Sequence, residues 1–309
     1  MQTNRAWRIH KFGGPDVLQL DHIPVPVPGD GQVLVRVCAA GVNGIDWKHR
    51  AGLLQNVYPL RLPAGLGAEM AGTVVALGSG ATQFNLGDRV MGAIGRGAYA
   101  DLIAVGEQNL CRTPGALSDV EAAALPVALQ TAWTALSAAG EVQPGQTILI
   151  HGAAGGVGGF AVQFAKAAGA HVVATCSASS RAYVLGLGAD RVIDRHTERF
   201  EEELTGIDLV LDLVGGDLPA RSWQVLARSG AIVSIASPDI AARTPAGRRG
   251  LFCSMRGDRE RLQQIAAAVA AGTLKSKVAE IVAVSDYPAA SERSRTGHAP
   301  GKIVVDFSR

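Results

Sequence analysis

The spacing of hydrophobic and polar positions changes near residue 121. Before it, short apolar runs such as QVLVRV, GTVVALG and AYADLIAV alternate with glycine, proline and aspartate, which predicts short strands in a barrel-like or sandwich-like domain. After it, EAAALPVALQTAWTALSAAG has the length and the Ala/Leu content of one helix, which VQPGQ ends. The pattern therefore predicts a mostly β domain, followed by a domain of another kind.

Beyond residue 146 the pattern is strand, turn, helix, repeated. The predicted strands are TILIHG, HVVATCS, RVID, LVLDLVG and AIVSIAS, each nearly continuous in apolar residues and separated from the next by a helical segment. Such strands predict a doubly wound parallel sheet that helices cover on both faces. RLQQIAAAVAAG predicts one more helix, and KIVVDF predicts a strand that could return to the first domain. We expect one domain from residues 1–121 and 275–309, and a second from residues 122–274.

Composition and charge exclude several classes of protein. The 309 residues carry 29 basic and 27 acidic side chains, so the net charge of +2 gives no electrostatic reason to expect nucleic acid or an anionic membrane as partner. The four cysteines (38, 111, 176 and 253) form no C-x-x-C pair, which argues against a disulfide framework and favours a reducing cytosol. MQTNRAWRIHKF has no apolar core of a signal peptide. The uncharged stretches 122–140 and 142–165 reach membrane-spanning length, but Pro126 and the glycines of 152–159 predict buried segments instead.

The strongest single motif is the glycine-rich turn in ILIHGAAGGVGGFAVQFAKAAG. A buried strand runs into it and a helix leaves it, and Ala153, Gly156 and Gly159 give the spacing A-x-x-G-x-x-G. Small residues let the backbone approach a pyrophosphate, and the helix N-terminus offers N–H groups to that anion. We expect cofactor contacts along the turn from five residues: Ala153, Gly155, Gly156, Val157 and Gly158.

The end of the second predicted strand favours NADPH over NADH. NAD sites usually place an acidic residue there to hold the ribose 2′-hydroxyl, but the sequence has none between Glu141 and Asp190. The strand ends instead in TCSASSR, with Ser177 and Arg181, and Arg195 follows the third strand. Hydroxyls and guanidinium groups suit a 2′-phosphate. The alternative is that these are helix-capping serines and a surface arginine.

The order of these parts resembles the medium-chain dehydrogenase/reductase family, in which a chaperonin-10-like catalytic domain precedes a Rossmann domain. Within it the chain is similar to the zinc-independent, zeta-crystallin-like quinone oxidoreductase and enone reductase branch. The resemblance covers nearly the whole chain through GVNGIDWK, LGAEMAGTVVALG, GDRVMG, AYADL, LPVALQTAW, HGAAGGVG, LGAD, VLDLVGG and GKIVV. It implies an α/β fold, NADPH as cofactor and a homodimer, and the scattered cysteines predict a cytoplasmic location.

The resemblance also bears on metal binding. Zinc-dependent members carry a cysteine in G-V-C-G-x-D and a histidine in G-H-E, where this chain has Asn43 and Ala68. The four-cysteine structural-zinc lobe is missing as well, because GDRVMGAIGRGAYADL runs straight on. A catalytic zinc needs three protein ligands, so we expect no metal. Short-chain reductases are a poor alternative, since no tyrosine here has a lysine four residues later.

Without a metal to polarise a simple carbonyl, conjugated acceptors are the easier substrates, and the resemblance implies reduction of quinones or of α,β-unsaturated ketones and aldehydes. It implies that Asn43 faces the nicotinamide and donates to an oxyanion or to the cofactor. Lys48 would donate a proton or stabilise an enolate, and Asp46 would orient the loop or tune Lys48. His49 is expected to be solvated. For each of the four the alternative is a turn residue that bonds its own backbone.

The family motifs imply further cofactor contacts at Thr131, Val214, Gly215, Ile235, Ala236, Ser237 and Lys302. Most of these follow predicted strands, at the edge where such sheets bind ligands. The basic segment RTPAGRRG (243–250) is either a phosphate-binding or carboxylate-binding loop or a solvated one. Two other functions stay open: reduction of an enoyl thioester, and a non-catalytic role in which the protein only binds NADPH.

Overall fold

The computed structural model describes residues 3–297 and 300–309. Two units divide the chain, one made of Met1–Val127 with Gly257–Arg309 and the other of Ala128–Arg256. The chain returns to the first unit at Gly257, earlier than residue 275, the boundary suggested by the sequence. The reason is that the helix over Arg259–Ala270 packs on the strand Leu110–Arg112 of the first unit.

The first part of the chain is mostly strands. Its elements are β1 (Thr3–Ile9), β2 (Leu18–Pro24), β3 (Gln32–Val42), α1 (Gly44–Arg50), β4 (Ala64–Gly65), β5 (Glu69–Leu77), β6 (Arg89–Ala93), β7 (Leu102–Gly106), β8 (Leu110–Arg112) and α2 (Asp119–Ala123). The alternation in QVLVRV places Val33, Val35 and Val37 in the core while Arg36 is exposed.

The second unit repeats strand and helix. Its elements are α3 (Pro126–Ser137, which starts two residues before the unit), β9 (Thr147–His151), α4 (Gly156–Ala167), β10 (His171–Cys176), α5 (Arg181–Gly186), β11 (Arg191–Asp194), α6 (Phe200–Glu203), β12 (Ile207–Asp212), α7 (Leu218–Ser222), β13 (Leu226–Ser234) and β14 (Arg249–Phe252). The chain then returns to the first unit with α8 (Arg259–Ala270), β15 (Val278–Ala283), α9 (Tyr287–Thr296) and β16 (Lys302–Asp306).

The sheet of the second unit has the order β11-β10-β9-β12-β13-β14, and all its strands are parallel. Ile148, Leu149 and Ile150 of β9 are fully buried, as expected for a strand in the middle of a sheet that is covered on both faces. The strand order reverses between β9 and β12, which makes their carboxyl ends the topological switch point of a Rossmann sheet. The predicted α/β fold, a chaperonin-10-like domain with a doubly wound Rossmann domain, is therefore confirmed.

Two sheets form the first unit. One has the order β2-β1-β4, and the other has the order β15-β16-β3-β5-β6-β8 with β7 also paired to β3. The terminal strand β16 runs antiparallel to β3, with Ile303 opposite Val42. The predicted return of KIVVDF to the first domain is thus observed, and it brings Lys302 beside the end of β3.

One predicted element is wrong in detail. EAAALPVALQTAWTALSAAG forms two helices, α2 and α3, instead of one. Pro126 lacks an N–H group and disfavours helical geometry at Leu125, so it ends the first helix and stands as the first residue of the second. Within the described residues, no helix is long and apolar enough to span a membrane.

Candidate functional site

A buried polar cluster lies where β3 gives way to α1 in the first unit. Asn43 is the N-cap residue of α1, with extended backbone angles, and Asp46 stands in the first turn. The Asp46 carboxylate accepts a hydrogen bond of 2.9 Å from the Asn43 backbone N–H, which is the reciprocal half of a capping box. The sequence V-N-G-I-D thus starts this helix with side chains that point inward.

Lys302 supplies the positive charge of this cluster. Its ammonium donates to the Val42 carbonyl at 3.1 Å, to Asn43 Oδ1 at 2.6 Å and to Glu69 Oε1 at 2.5 Å. Both Lys302 and Glu69 are buried, and the second Glu69 oxygen accepts the Val127 N–H at 2.6 Å. An ammonium has three protons, so these three acceptors account for all of them.

The same pair holds both ends of the Asn43 amide. Its oxygen accepts from Lys302, while Nδ2 donates to Glu69 Oε1 at 2.8 Å and to the Gly41 carbonyl at 3.2 Å. The cation must meet the oxygen and the carboxylate must meet the NH₂, so the orientation of the amide is determined by its neighbours. A Cβ on Gly41 would lie 2.2 Å from Glu69 Oε1, so only glycine leaves room for the carboxylate.

Asp46 is the titratable group whose environment is most informative. Burial raises its pKa to about 6, although the Tyr99 hydroxyl, the Asn43 N–H and the charge of Lys302 all act in the opposite direction. Tyr99 donates to Asp46 Oδ2 at 2.7 Å, and burial together with the nearby Asp46 raises the pKa of Tyr99 well above its usual value. A carboxyl with a pKa near 6 can exchange a proton close to neutral pH.

Lys48 and His49 follow Asp46 on α1. Lys48 is half-buried on α1, with Nζ 5.8 Å from the centroid of the Trp47 ring. His49 is buried rather than solvated, so that expectation is wrong. Burial and, after it, the charge of Arg96 lower the pKa of His49, and its Nε2 has no hydrogen-bond partner among the described residues.

Sequence reasoning missed the roles of Glu69 and Tyr99, and it assigned Lys302 to the cofactor. A signal for Glu69 was present, since it is an acidic residue in the apolar run LGAEMAGTVV, where a charge needs a buried partner. Tyr99 had no comparable signal. Its ring packs on Tyr287 with 3.9 Å between centroids, across a separation in sequence that no local pattern reveals.

The donor set around Asn43 does not fit a zinc ion. Position 68 is alanine, and the Lys302 ammonium already occupies the oxygens of Asn43 and Glu69 that a cation would need. In the described part of the chain no three His, Cys, Asp or Glu side chains form a metal-binding group.

In the second unit, the glycine turn connects β9 to α4. Gly152 has a φ of +76°, and Gly155 is the N-cap of α4 with no side-chain cap. A Cβ on Gly158 would lie 2.3 Å from the Gly152 carbonyl, so the close helix–strand contact requires glycine there. Gly152 and Gly158 are thus the positions that require glycine, each one residue before a position of the A-x-x-G-x-x-G frame, whereas Gly155 has an ordinary φ of −74°. The first turn of α4, with Gly156 and Val157, fits a pyrophosphate, because its N–H groups have no side-chain cap.

The residues expected to meet the 2′-phosphate lie together at the ends of β10 and β11. Ser177 follows β10, with its Oγ 3.0 Å from that of Ser179, and Arg181 begins α5. Arg195 follows β11 and donates its backbone N–H to the Cys176 carbonyl at 2.9 Å. Burial raises the pKa of Cys176, and the charges of both arginines act against that rise, so both guanidinium groups lie within electrostatic reach of the end of β10.

Arg181 also has a neighbouring carboxylate. Its Nη2 lies 3.3 Å from Glu198 Oε2, and both side chains are exposed to solvent. A long, exposed ion pair of this kind is weak, which leaves the guanidinium available to a phosphate.

The loops after β12 and β13 carry five of the expected cofactor contacts: Val214, Gly215, Ile235, Ala236 and Ser237. Gly215 has a φ of +85°, and a Cβ there would lie 3.2 Å from Ala236, so the two loops pack closely. Thr131 is buried on α3. No contact of these residues with a cofactor is tested by the structure, and their roles stay predictions.

The basic segment 243–250 is tied to its own unit. Arg243 lies 3.6 Å from Asp239, Arg248 donates to the Ala227 carbonyl at 3.0 Å, and Arg249 donates to the Ala139 carbonyl at 3.2 Å. These contacts fix the segment that leads into β14, so the three arginines have a structural role there.

Comparison with known proteins agrees with this geometry. A family model described as an alcohol dehydrogenase GroES-like domain matches residues 29–189, and one described as a zinc-binding dehydrogenase matches residues 187–305. The quinone oxidoreductase of Coxiella burnetii is 34% identical and superposes with a TM-score of 0.92 over 99% of this chain and 100% of that chain. The Escherichia coli quinone oxidoreductase, solved in complex with NADPH, is 30% identical with a TM-score of 0.87 over 98% and 99%. Human quinone oxidoreductase is 31% identical over 87% of this chain and 85% of its own length.

The chain belongs to the medium-chain dehydrogenase/reductase family and, within it, to the quinone oxidoreductase branch, as its motifs predicted.

Proposed function

We propose that this protein is an NADPH-dependent reductase that transfers hydride to quinones or to α,β-unsaturated ketones and aldehydes. The observation that carries the proposal is the glycine turn at the switch point of the Rossmann sheet, where Gly152 and Gly158 bring strand and helix into close contact and leave the first turn of α4 uncapped. The Escherichia coli relative, solved with NADPH, supports this choice of cofactor.

The seryl and arginyl groups at the end of β10 favour NADPH over NADH. Ser177 and Arg181 present a hydroxyl and a guanidinium where NAD sites usually hold the ribose with a carboxylate. Arg195 adds a second positive charge at the same edge. When bound, NADPH supplies the hydride.

The buried cluster of the first unit supports the choice of conjugated acceptors. The donor set there does not suit a metal that would polarise an isolated carbonyl, because Lys302 already occupies the oxygens of Asn43 and Glu69. A conjugated acceptor needs no such help, since it spreads the incoming charge into an enolate or a hydroquinone anion. The Lys302 ammonium, 2.6 Å from Asn43 Oδ1, polarises the amide and so strengthens its Nδ2–H groups as donors. Of their two acceptors the Gly41 carbonyl is the more distant, at 3.2 Å, and it is the contact that a substrate oxyanion would replace.

Lys48 remains the proposed proton donor, because it lies on the same helix and is only half-buried. Asp46 acts through position: its carboxylate holds the Asn43 N–H and so fixes the start of α1. The contact of Lys302 with the cofactor stays a prediction, and the three acceptors that its ammonium already has make a cofactor contact costly.

The test is oxidation of NADPH over a small panel of acceptors: 1,2- and 1,4-naphthoquinone, an alkenal, a simple ketone and an enoyl thioester. We expect turnover with the quinones or the alkenal and none with the ketone. Turnover of the thioester alone would favour the enoyl-thioester alternative. Tight NADPH binding without any turnover would favour a non-catalytic role and refute the proposed reductase activity. The homodimer and the cytoplasmic location stay predictions, and light scattering coupled to gel filtration tests the first.

A further inference from the structure

The last residue of β12, Asp212, is a fully buried carboxylate that contacts two loops at once. Its Oδ1 accepts the backbone N–H groups of Val214 at 3.1 Å and Gly215 at 2.7 Å. Its Oδ2 accepts the Ser234 hydroxyl at 2.6 Å, with the Ser237 hydroxyl at a long 3.5 Å. One side chain therefore holds the loop after β12 with one oxygen and the end of β13 with the other.

Ser234 extends this set of bonds into the loop after β13. Its Oγ accepts the N–H of Ala236 at 3.1 Å and of Ser237 at 2.9 Å while it donates to Asp212. The Asp212 backbone carbonyl also accepts the Ile235 N–H at 3.1 Å. Each of these three residues after β13 thus hydrogen-bonds to Asp212 or to the hydroxyl that Asp212 orients.

The glycine turn belongs to the same assembly. A Cβ on Gly152 would lie 2.8 Å from the Val214 side chain, so the loop after β12 packs on the turn that follows β9. Val214 is half exposed although its N–H is tied down, so the loop presents a side chain to its surroundings from a fixed backbone. Three loops at the carboxyl edge of the sheet meet around one buried carboxylate, at the switch point where such sheets bind nucleotides.

We propose that Asp212 is a positioning residue for the nicotinamide dinucleotide site: its buried carboxylate fixes the loops 213–216 and 235–237 against the glycine turn without touching the cofactor. This inference rests on the proposed function. A carboxylate is suited to the task because all four of its contacts are donors, and it accepts from both sides at once. An asparagine of the same shape has one acceptor oxygen, so it can serve one loop only and turns an NH₂ towards the donors of the other.

The experiment measures dissociation constants for NADPH and NADH by calorimetry in the unmodified protein and in Asp212→Asn. We expect both constants to rise about tenfold, because loss of bonds to a charged acceptor is worth that much or more and the loops carry no 2′-phosphate selectivity. Amide hydrogen exchange should speed up in 213–216 and 235–237. That readout needs no cofactor.

The matched control is Asp208→Asn, the same change in the same strand at the opposite edge of the sheet. The Asp208 carboxylate accepts the Thr147 N–H at 2.8 Å, at the amino end of β12 and β9. Its loss should affect stability while both dissociation constants stay within about twofold of those of the unmodified protein. Ser234→Ala is the second variant, in case Asp212→Asn does not fold. It should raise both constants about threefold by freeing the N–H groups of Ala236 and Ser237.

The outcomes separate the two proposals. Unchanged affinities in Asp212→Asn, or in Ser234→Ala where the first variant fails to fold, overturn the positioning role and leave the reductase intact. An equal loss in Asp208→Asn also overturns it, because the effect would then be general damage to the sheet. An unmodified protein that binds neither nucleotide overturns the proposed function and this inference together.

Discussion

Replacing Lys302 with methionine tests the view that the first unit depends on one buried cation. Lys302 and Glu69 are joined at 2.5 Å, and the carboxylate is completely shielded from water. Removal of one partner of such a pair leaves an uncompensated buried charge, which costs about 3–5 kcal/mol. For a unit of this size the melting temperature should fall by roughly 10 °C.

Together with Lys302→Met, the variant Glu69→Gln and the double variant form a cycle that measures the interaction energy between Lys302 and Glu69. We expect the double variant to unfold at a higher temperature than Lys302→Met alone, because it buries no net charge. Thermal unfolding followed by circular dichroism gives the three values, and amide exchange in β3 and β5 locates the loss in the first unit. Additive losses in the double variant would refute the argument, since they would show that each side chain acts independently of the other's charge.

Lys166→Met is the matched control. Lys166 pairs with Asp190 at 2.8 Å in the second unit, but both side chains are about one-third exposed. Water already screens such a pair, so its loss should cost less than about 1 kcal/mol. A control that falls as far as Lys302→Met would mean that burial is not what gives the first pair its importance.

Four other predictions follow from single contacts. The folded-state pKa of Asp46, about 6, lies above its unfolded value of 3.8, so its stabilising contribution is present in full below pH 4 and is lost as the pH rises through 6. In the unmodified protein this should lower the free energy of unfolding by roughly 3 kcal/mol between pH 4 and 7, and in Asp46→Asn that decrease should be absent. Urea titrations over this pH range measure it, and identical pH profiles of the two proteins would contradict the prediction. Arg181→Ala should weaken NADPH binding about tenfold or more and leave NADH unchanged in calorimetry; equal losses would refute contact with the 2′-phosphate. Lys48→Ala should lower kcat for enones at unaltered NADPH affinity, and unchanged turnover would end its role as proton donor. Gly158→Ala forces a Cβ to within 2.3 Å of the Gly152 carbonyl and should cost about 2–3 kcal/mol in chemical denaturation, whereas Gly186→Ala, whose Cβ meets no described atom within 4 Å, should cost nothing.

The sequence predicts the second unit well because its signals are local. Five of its six strands contain an apolar run that predicts them, and Gly169, Gly188 and Gly206 mark turns that lead from helix to strand, so this alternation needs no distant information. The sixth strand, β14 (RGLF), has no such run and was not predicted. The split at Pro126 was also a local signal, and the composition of the surrounding helix obscured it. The early return at Gly257 was not local, because the packing of α8 on β8 decides it.

The candidate site of the first unit was predictable only in part. Asn43 and Asp46 stand close in sequence and could be recognised as a pair. Their partners come from β5, from the segment around Tyr99 and from β16, and pairing between distant segments leaves no periodic trace. The lysine that donates to Asn43 is accordingly Lys302 of the distant strand β16, whereas the motif itself drew attention to Lys48 on α1.

The contact between Lys302 and Asn43 joins residues 259 positions apart, which sets an order of events during synthesis. At roughly 5–20 residues per second, about 10–50 s pass between the appearance of the asparagine and that of the lysine. All of the second unit leaves the ribosome within that interval and can fold first. Until β16 arrives, residues 39–42 of β3 have an open edge and Glu69 lacks its cation, so the nascent first unit is expected to rely on chaperones longer than the domain that follows it.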